Sequence, residues 1–134
     1  MQEVKFKRMP WLLHKYFVWQ GCADTWVTFP HAIYVDRGRW ETYLNSEWEW
    51  LREHEMKHFE RVNSRPWLSR WGWCIRYMLS WRMRYDEEVV AIKKELSVLP
   101  PIERQAMAWR ESWNLVRSYG IKLPQQQVYE ELTR

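Results

Sequence analysis

His54-Glu55-Met56-Lys57-His58 is the stretch of this chain whose residue types and spacing could organise a reaction. Two histidines four positions apart lie one above the other on a helix, so both rings can turn a nitrogen to one metal ion. A glutamate next to the first histidine is then placed to take a proton from water activated by that metal. The chance alternative, two unrelated core or surface histidines, would leave Glu55 buried without a partner, which is costly for a carboxylate.

The motif works only on a helix, and Ser46 to Val62 supplies one. Ser46 is a good N-cap, Glu49 completes a capping box, and Asn63, Ser64 and Pro66 stop the helix. At about 100° per residue, Trp48, Leu51, His54, Glu55, His58, Phe59 and Val62 share one side, and Glu53, Lys57 and Glu60 lie largely opposite. All three motif residues are therefore expected to face the interior. Lys57, a charge between the histidines, falls on the solvent side.

The rest of the chain must hold that helix. With 134 residues, 46% of them hydrophobic, and only 4 Gly and 6 Pro, the sequence predicts a single globular domain over 1–134. Twelve Trp are more than one small core can absorb, so some must lie at a surface or cleft. Cys22 and Cys74 form no CxxC pair, which argues against a disulfide framework or a cysteine-based metal site and makes the cytoplasm the expected compartment. His14 and Lys15 break the apolar run near the N-terminus, so no signal peptide is expected, and no stretch is long enough to span a bilayer. The net charge of +4 implies no specific nucleic-acid partner. Its distribution is uneven: Arg61 to Arg84 holds six Arg and no acidic residue, after an acidic Glu41 to Glu60.

Through Val35 the pattern predicts two or three short strands, around Thr25 to Thr28 and Ala32 to Val35, with Pro30 and Asp36-Arg37-Gly38 bounding the second. That strand, HAIYV, either offers a free edge to an extended peptide or packs beneath the helix. Pro66 to Arg84 reads as one helix, with Leu68, Trp71, Ile75, Met78 and Leu79 as the stripe packed over the motif helix. Tyr85 to Val98 follows, with a buried stripe of Tyr85, Val89, Ile92 and Leu96, ended by Pro100 and Pro101. Ile102 to Tyr119 is expected to bury Ile102, Ala106, Trp109, Trp113 and Val116, with Gly120 as its C-terminal cap. Pro124 opens a short last helix holding Val128 and Leu132.

Two histidines leave a catalytic metal site one protein ligand short. His14 and His31 are candidates, but a carboxylate from the helix starting at Tyr85 is better placed. Glu88 lies about 60° from the centre of that helix's buried stripe and Glu87 about 160° from it. Glu88 is therefore the expected third ligand.

The order of these elements resembles the zinc peptidases of the Glu-zincin type, and more narrowly the small HExxH proteins of tailed phages and bacteria. The segments that carry the resemblance are HAIYV, SEWEWLREHEMKH and Arg84-Tyr85-Asp86-Glu87-Glu88-Val89-Val90-Ala91. The resemblance covers about Ala32 to Leu96. It implies a zincin-like α+β domain, mostly helical with a small N-terminal β-sheet. It also implies Zn2+ held by His54, His58 and Glu88, Glu55 as general base, and a peptide or protein substrate held along the strand near Ile33. Ile92 stands where many such enzymes carry an Asp that orients a ligand histidine, so that role falls to Glu95, Glu87 or another group. Tyr85, Tyr77 and His31 are candidates for stabilising the oxyanion.

Two rival readings keep parts of this picture. One is a non-catalytic, zinc-stabilised accessory or structural protein of phage type, whose site would be closed by a fourth protein ligand. The other is a surface module in which residues 61–84 contact a membrane or nucleic acid, with weak anion or membrane-surface contact as the expectation for that segment.

Overall fold

The computed structural model describes residues 5–12, 15, 26–35 and 48–134. The Ser46 cap, the Asp36-Arg37-Gly38 turn, His14 and Cys22 lie outside them.

Three short strands pair first. Strand β1 is Phe6–Arg8, β2 is Val27–Phe29 and β3 is Ala32–Val35, in the order β1-β3-β2. β1 runs parallel to β3, with Phe6 opposite Ile33, and β2 runs antiparallel to it, with Thr28 opposite Ile33. Both expected strands form, but β3 is the central one. Its two edges are taken by β1 and β2, so it offers no free edge to a peptide; the alternative, a strand packed beneath the helix, is what forms. Ala32, Ile33 and Val35 are buried, and Ile33, Val35 and Trp26 pack with Phe59 of the motif helix.

Five helices follow in the described residues: α1 Glu49–Asn63, α2 Trp67–Leu79, α3 Trp81–Val98, α4 Pro101–Ser118 and α5 Gln125–Thr133. The fold is thus α+β and mostly helical. None of the helices is long and apolar enough to cross a membrane.

α1 ends as its sequence requires. The Ser64 amide returns to the Glu60 carbonyl at 2.9 Å, the Asn63 side-chain amide donates to the Phe59 carbonyl, and Pro66 has no N–H with which to continue.

The segment expected as one helix from Pro66 to Arg84 is two. Ser80 is extended, with φ −109° and ψ 112°, and its hydroxyl caps α3 by accepting the Met83 amide at 3.3 Å. Arg84 secures the break, donating to the Tyr77 and Met78 carbonyls at 3.1 and 2.7 Å and to the Tyr119 carbonyl at 3.0 Å. The helix facing also differs from expectation. α2 turns Trp73 and Tyr77 inward, while Leu68, Trp71, Ile75, Met78 and Leu79 are exposed. Periodicity identifies a stripe but not which stripe is inside, and on α2 both faces carry large apolar residues.

A similar rotation separates α4 from its expected facing. Ala108, Ser112 and Leu115 are buried, whereas Ile102, Trp109 and Trp113 are exposed. Small residues sit where α5 approaches: Gln125 of α5 donates to the Ser112 hydroxyl at 3.3 Å. Gly120 does cap α4, at φ +66°, a left-handed conformation that favours glycine.

The second core joins α3, α4 and α5 through Val89, Ile92, Leu96, Leu115, Val128 and Leu132. α1 packs most extensively on α3. The motif helix therefore faces the sheet on one side and α3 on another, and α2 crosses near its C-terminal half.

Candidate metal centre

His54, Glu55 and His58 are buried, as their shared helix face requires. α3 runs alongside and brings Glu88 between the two rings. Its Oε2 lies 3.2 Å from His54 Nε2 and its Oε1 3.1 Å from His58 Nε2, and the two Nε2 atoms are 3.2 Å apart. These three side chains can each turn one ligand atom to a common point, all within 4.8 Å of one another.

The chemistry of these atoms calls for a cation. His54 Nδ1 faces Glu95 Oε2 at 3.0 Å, which makes Nδ1 the protonated nitrogen of a neutral ring and leaves the Nε2 lone pair aimed at the cluster. A second imidazole nitrogen and a carboxylate meet it there. Such lone pairs repel unless a proton or a metal ion lies between them, and two imidazoles with one carboxylate form a donor set that suits a metal ion. The buried His54, His58 and Glu88 group can therefore hold one.

Without a metal, protons must serve. Burial works against the imidazolium of His54, but hydrogen bonds to Glu88 and Glu95 outweigh it and hold His54 well above the usual histidine range. Burial would raise Glu88, yet His58 and His54 hold it well below the usual carboxylate range. Glu55 and Glu95 are shifted the other way, raised chiefly by burial and only partly relieved by the imidazoles.

Glu55 stands beside the cluster rather than in it. The Thr28 hydroxyl of β2 lies 2.6 Å from Glu55 Oε2 and 3.2 Å from its backbone carbonyl, so the edge strand of the sheet fixes this carboxylate. Sequence reasoning missed Thr28, since a single threonine in a three-residue strand carries no signal. Tyr77 is the member of the proposed oxyanion set that reaches the site. Its hydroxyl donates to Glu88 Oε1 and its ring stacks on Trp73, with both rings beside His58 at centroid distances of 6.2 and 6.4 Å. Burial, then the Glu88 charge, raises its phenol far above the ordinary range. Tyr119, which no spacing rule indicated and which is 38% exposed, has its hydroxyl pushed well up, by the Glu88 charge first.

Other candidates are elsewhere. His31 Nε2 pairs with the Tyr34 hydroxyl at 2.8 Å and stacks on Phe29, away from the triad. Tyr85 lines an open cavity with Trp81, Arg82, Asp86 and Leu123. Glu87, expected to point away from the core, is buried, because Arg61 of α1 reaches across and binds both its oxygens, at 2.5 and 3.0 Å. Of the two carboxylates proposed to orient a ligand histidine, Glu95 does so. His58 Nδ1 has no such partner among the described residues.

Compared with known proteins, the chain matches no family model, no curated protein and no solved structure.

Proposed function

We propose that this chain is a zinc-dependent metallopeptidase of the Glu-zincin type. The observation that carries the reading is the convergence of Glu88 on His54 and His58 of an HExxH helix, with Glu55 beside them and outside the ligand set. His54, His58 and Glu88 would hold the zinc ion, which would supply Lewis acidity and lower the pKa of a bound water. Glu55, steadied by Thr28, would take a proton from the attacking water and return it to the leaving amine. Glu95 keeps His54 in the tautomer that presents Nε2. Tyr77 is the donor for the developing oxyanion. The outer edge of β2, which carries Thr28, replaces β3 as the strand along which an extended peptide is held.

A second reading, a structural zinc site, is favoured by the burial of all three ligands beneath Trp73 and Tyr77. Hydrolysis of an unstructured protein such as casein separates the two. Catalysis requires cleavage that a chelator abolishes, zinc restores, and Glu55→Gln lacks although it retains the metal. A metal-loaded wild type as inert as Glu55→Gln on casein and on a mixed peptide library leaves the structural reading.

A further inference from the structure

The outer face of α2 is an exposed apolar surface that the metal centre does not use. We propose that it docks onto an anionic lipid bilayer surface, lying in the plane of the interface with its apolar side chains inserted.

At about 100° per residue, Trp67, Leu68, Trp71, Ile75, Met78 and Leu79 fall within about a 120° sector of the helix, centred roughly 160° from the Trp73–Tyr77 face that meets His58. Leu68 is 80% exposed, Ile75 52%, Met78 67% and Leu79 81%. Arg70 and Arg76 flank this sector on its two sides, and Arg82 follows just past the Ser80 break. An apolar face bordered by Arg, with Trp among the aliphatic side chains, is the pattern of an interfacial helix: the arginine stems reach back to the headgroups and the Trp rings settle at the boundary.

Charge decides among the occupants. Residues 61–84 hold six Arg and no Asp or Glu; Arg61 is held by Glu87 and Arg84 by backbone carbonyls, while Arg76 and Arg82 are exposed. A second copy packed across a two-fold axis would set these arginines against each other with no carboxylate in the segment to meet them. A nucleic acid would satisfy the arginines, but Leu68, Ile75, Met78 and Leu79 cannot stack on bases and would stay in water. An anionic bilayer meets both needs, with lipid phosphates for the arginines and acyl chains for the aliphatic groups. Docking there would hold the metal centre one helix thickness above the membrane, with Trp73 and Tyr77 between.

The test is co-sedimentation of the full chain with phosphatidylcholine vesicles, with and without phosphatidylglycerol. The proposal expects binding that needs phosphatidylglycerol and weakens as salt is raised. It expects the triple variant Leu68→Gln, Ile75→Gln, Leu79→Gln to lose about tenfold or more in partitioning. Arg76→Glu with Arg82→Glu, which leaves the apolar sector whole, should remove the phosphatidylglycerol dependence. Since the replaced side chains are exposed, both variants should keep the wild-type circular dichroism, and His54→Ala should bind vesicles as the wild type does, so this test is separate from that of the peptidase reading. Absence of binding, or equal binding by the triple variant, would overturn the proposal. So would a wild-type dimer that the triple variant converts to monomer, or DNA binding tighter than vesicle binding.

Discussion

Glu95 and Glu55 divide the work around His54, and the two should fail differently when replaced. Glu95→Ala removes the carboxylate that fixes the His54 tautomer, so zinc affinity should fall about 10- to 100-fold in a competition titration with a chromophoric chelator. Glu55→Gln should keep the wild-type affinity and lose about 100-fold or more of any peptidase rate, because it acts on water rather than on metal. Loss of zinc from Glu55→Gln would make its role structural. The pH dependence follows from the same residues. In metal-free protein His54 lies above its ordinary value of 6.5, so its stabilisation is complete below that value and is lost as pH rises through the folded pKa. Glu55 and Glu95, both raised, act in the same direction, whereas Glu88 is lowered and matters only in acid. The melting temperature in chelator should therefore fall as pH rises above the ordinary histidine value of 6.5. With zinc the trend should reverse, since metal displaces protons from its ligands more easily as pH rises. Parallel curves with and without zinc would contradict this.

At the scale of elements, α1 and α3 are the pair that makes the site, and Arg61–Glu87 ties them one turn beyond the ligands. Arg61→Ala would leave Glu87 buried and unpaired. The expected loss is about 2 kcal/mol, below the roughly 3–5 for a fully buried pair because the Arg61 side chain is 36% exposed. Adding Glu87→Leu should recover most of it; a double variant no more stable than Arg61→Ala would mean that the pair does not hold the helices. These two helices were also the most legible part of the sequence. His54, Glu55, His58, Phe59 and Val62 are buried at the spacing their period requires, and Glu88 reaches the histidines from the side its angle indicated. α2 and α4 were legible as helices but not in their facing. Leu68 and Ile75 of α2, or Trp109 and Trp113 of α4, look like core by period alone, and only the position of the neighbouring helix decides otherwise. The Ser80 break was equally hidden, since a serine between two helical patterns marks a cap only once the chain turns there.

Across the whole molecule, two cores meet at the metal centre: the sheet with Phe59 on one side, and α3, α4 and α5 on the other. Val128, fully buried in the second core, should cost about 1–3 kcal/mol when changed to Ala, seen in urea unfolding, and should leave zinc affinity unchanged. A concurrent loss of zinc would show that the second core sets the ligand geometry. The helical class and the inward faces of α1, α3 and α5 could be foreseen, because those helices carry their own periodicity and stop signals. Thr28 on Glu55 could not, since contacts between residues so far apart in sequence follow from topology rather than from local pattern. The metallopeptidase reading rests on His54, His58 and Glu88 acting as one ligand set, and elemental analysis of the purified protein tests that most directly. About one zinc per chain is predicted for the wild type and for Glu55→Gln, with little or none in Glu88→Ala and in His54→Ala/His58→Ala. No metal in the wild type after incubation with zinc and removal of excess, or a content unchanged in the double histidine variant, would contradict it.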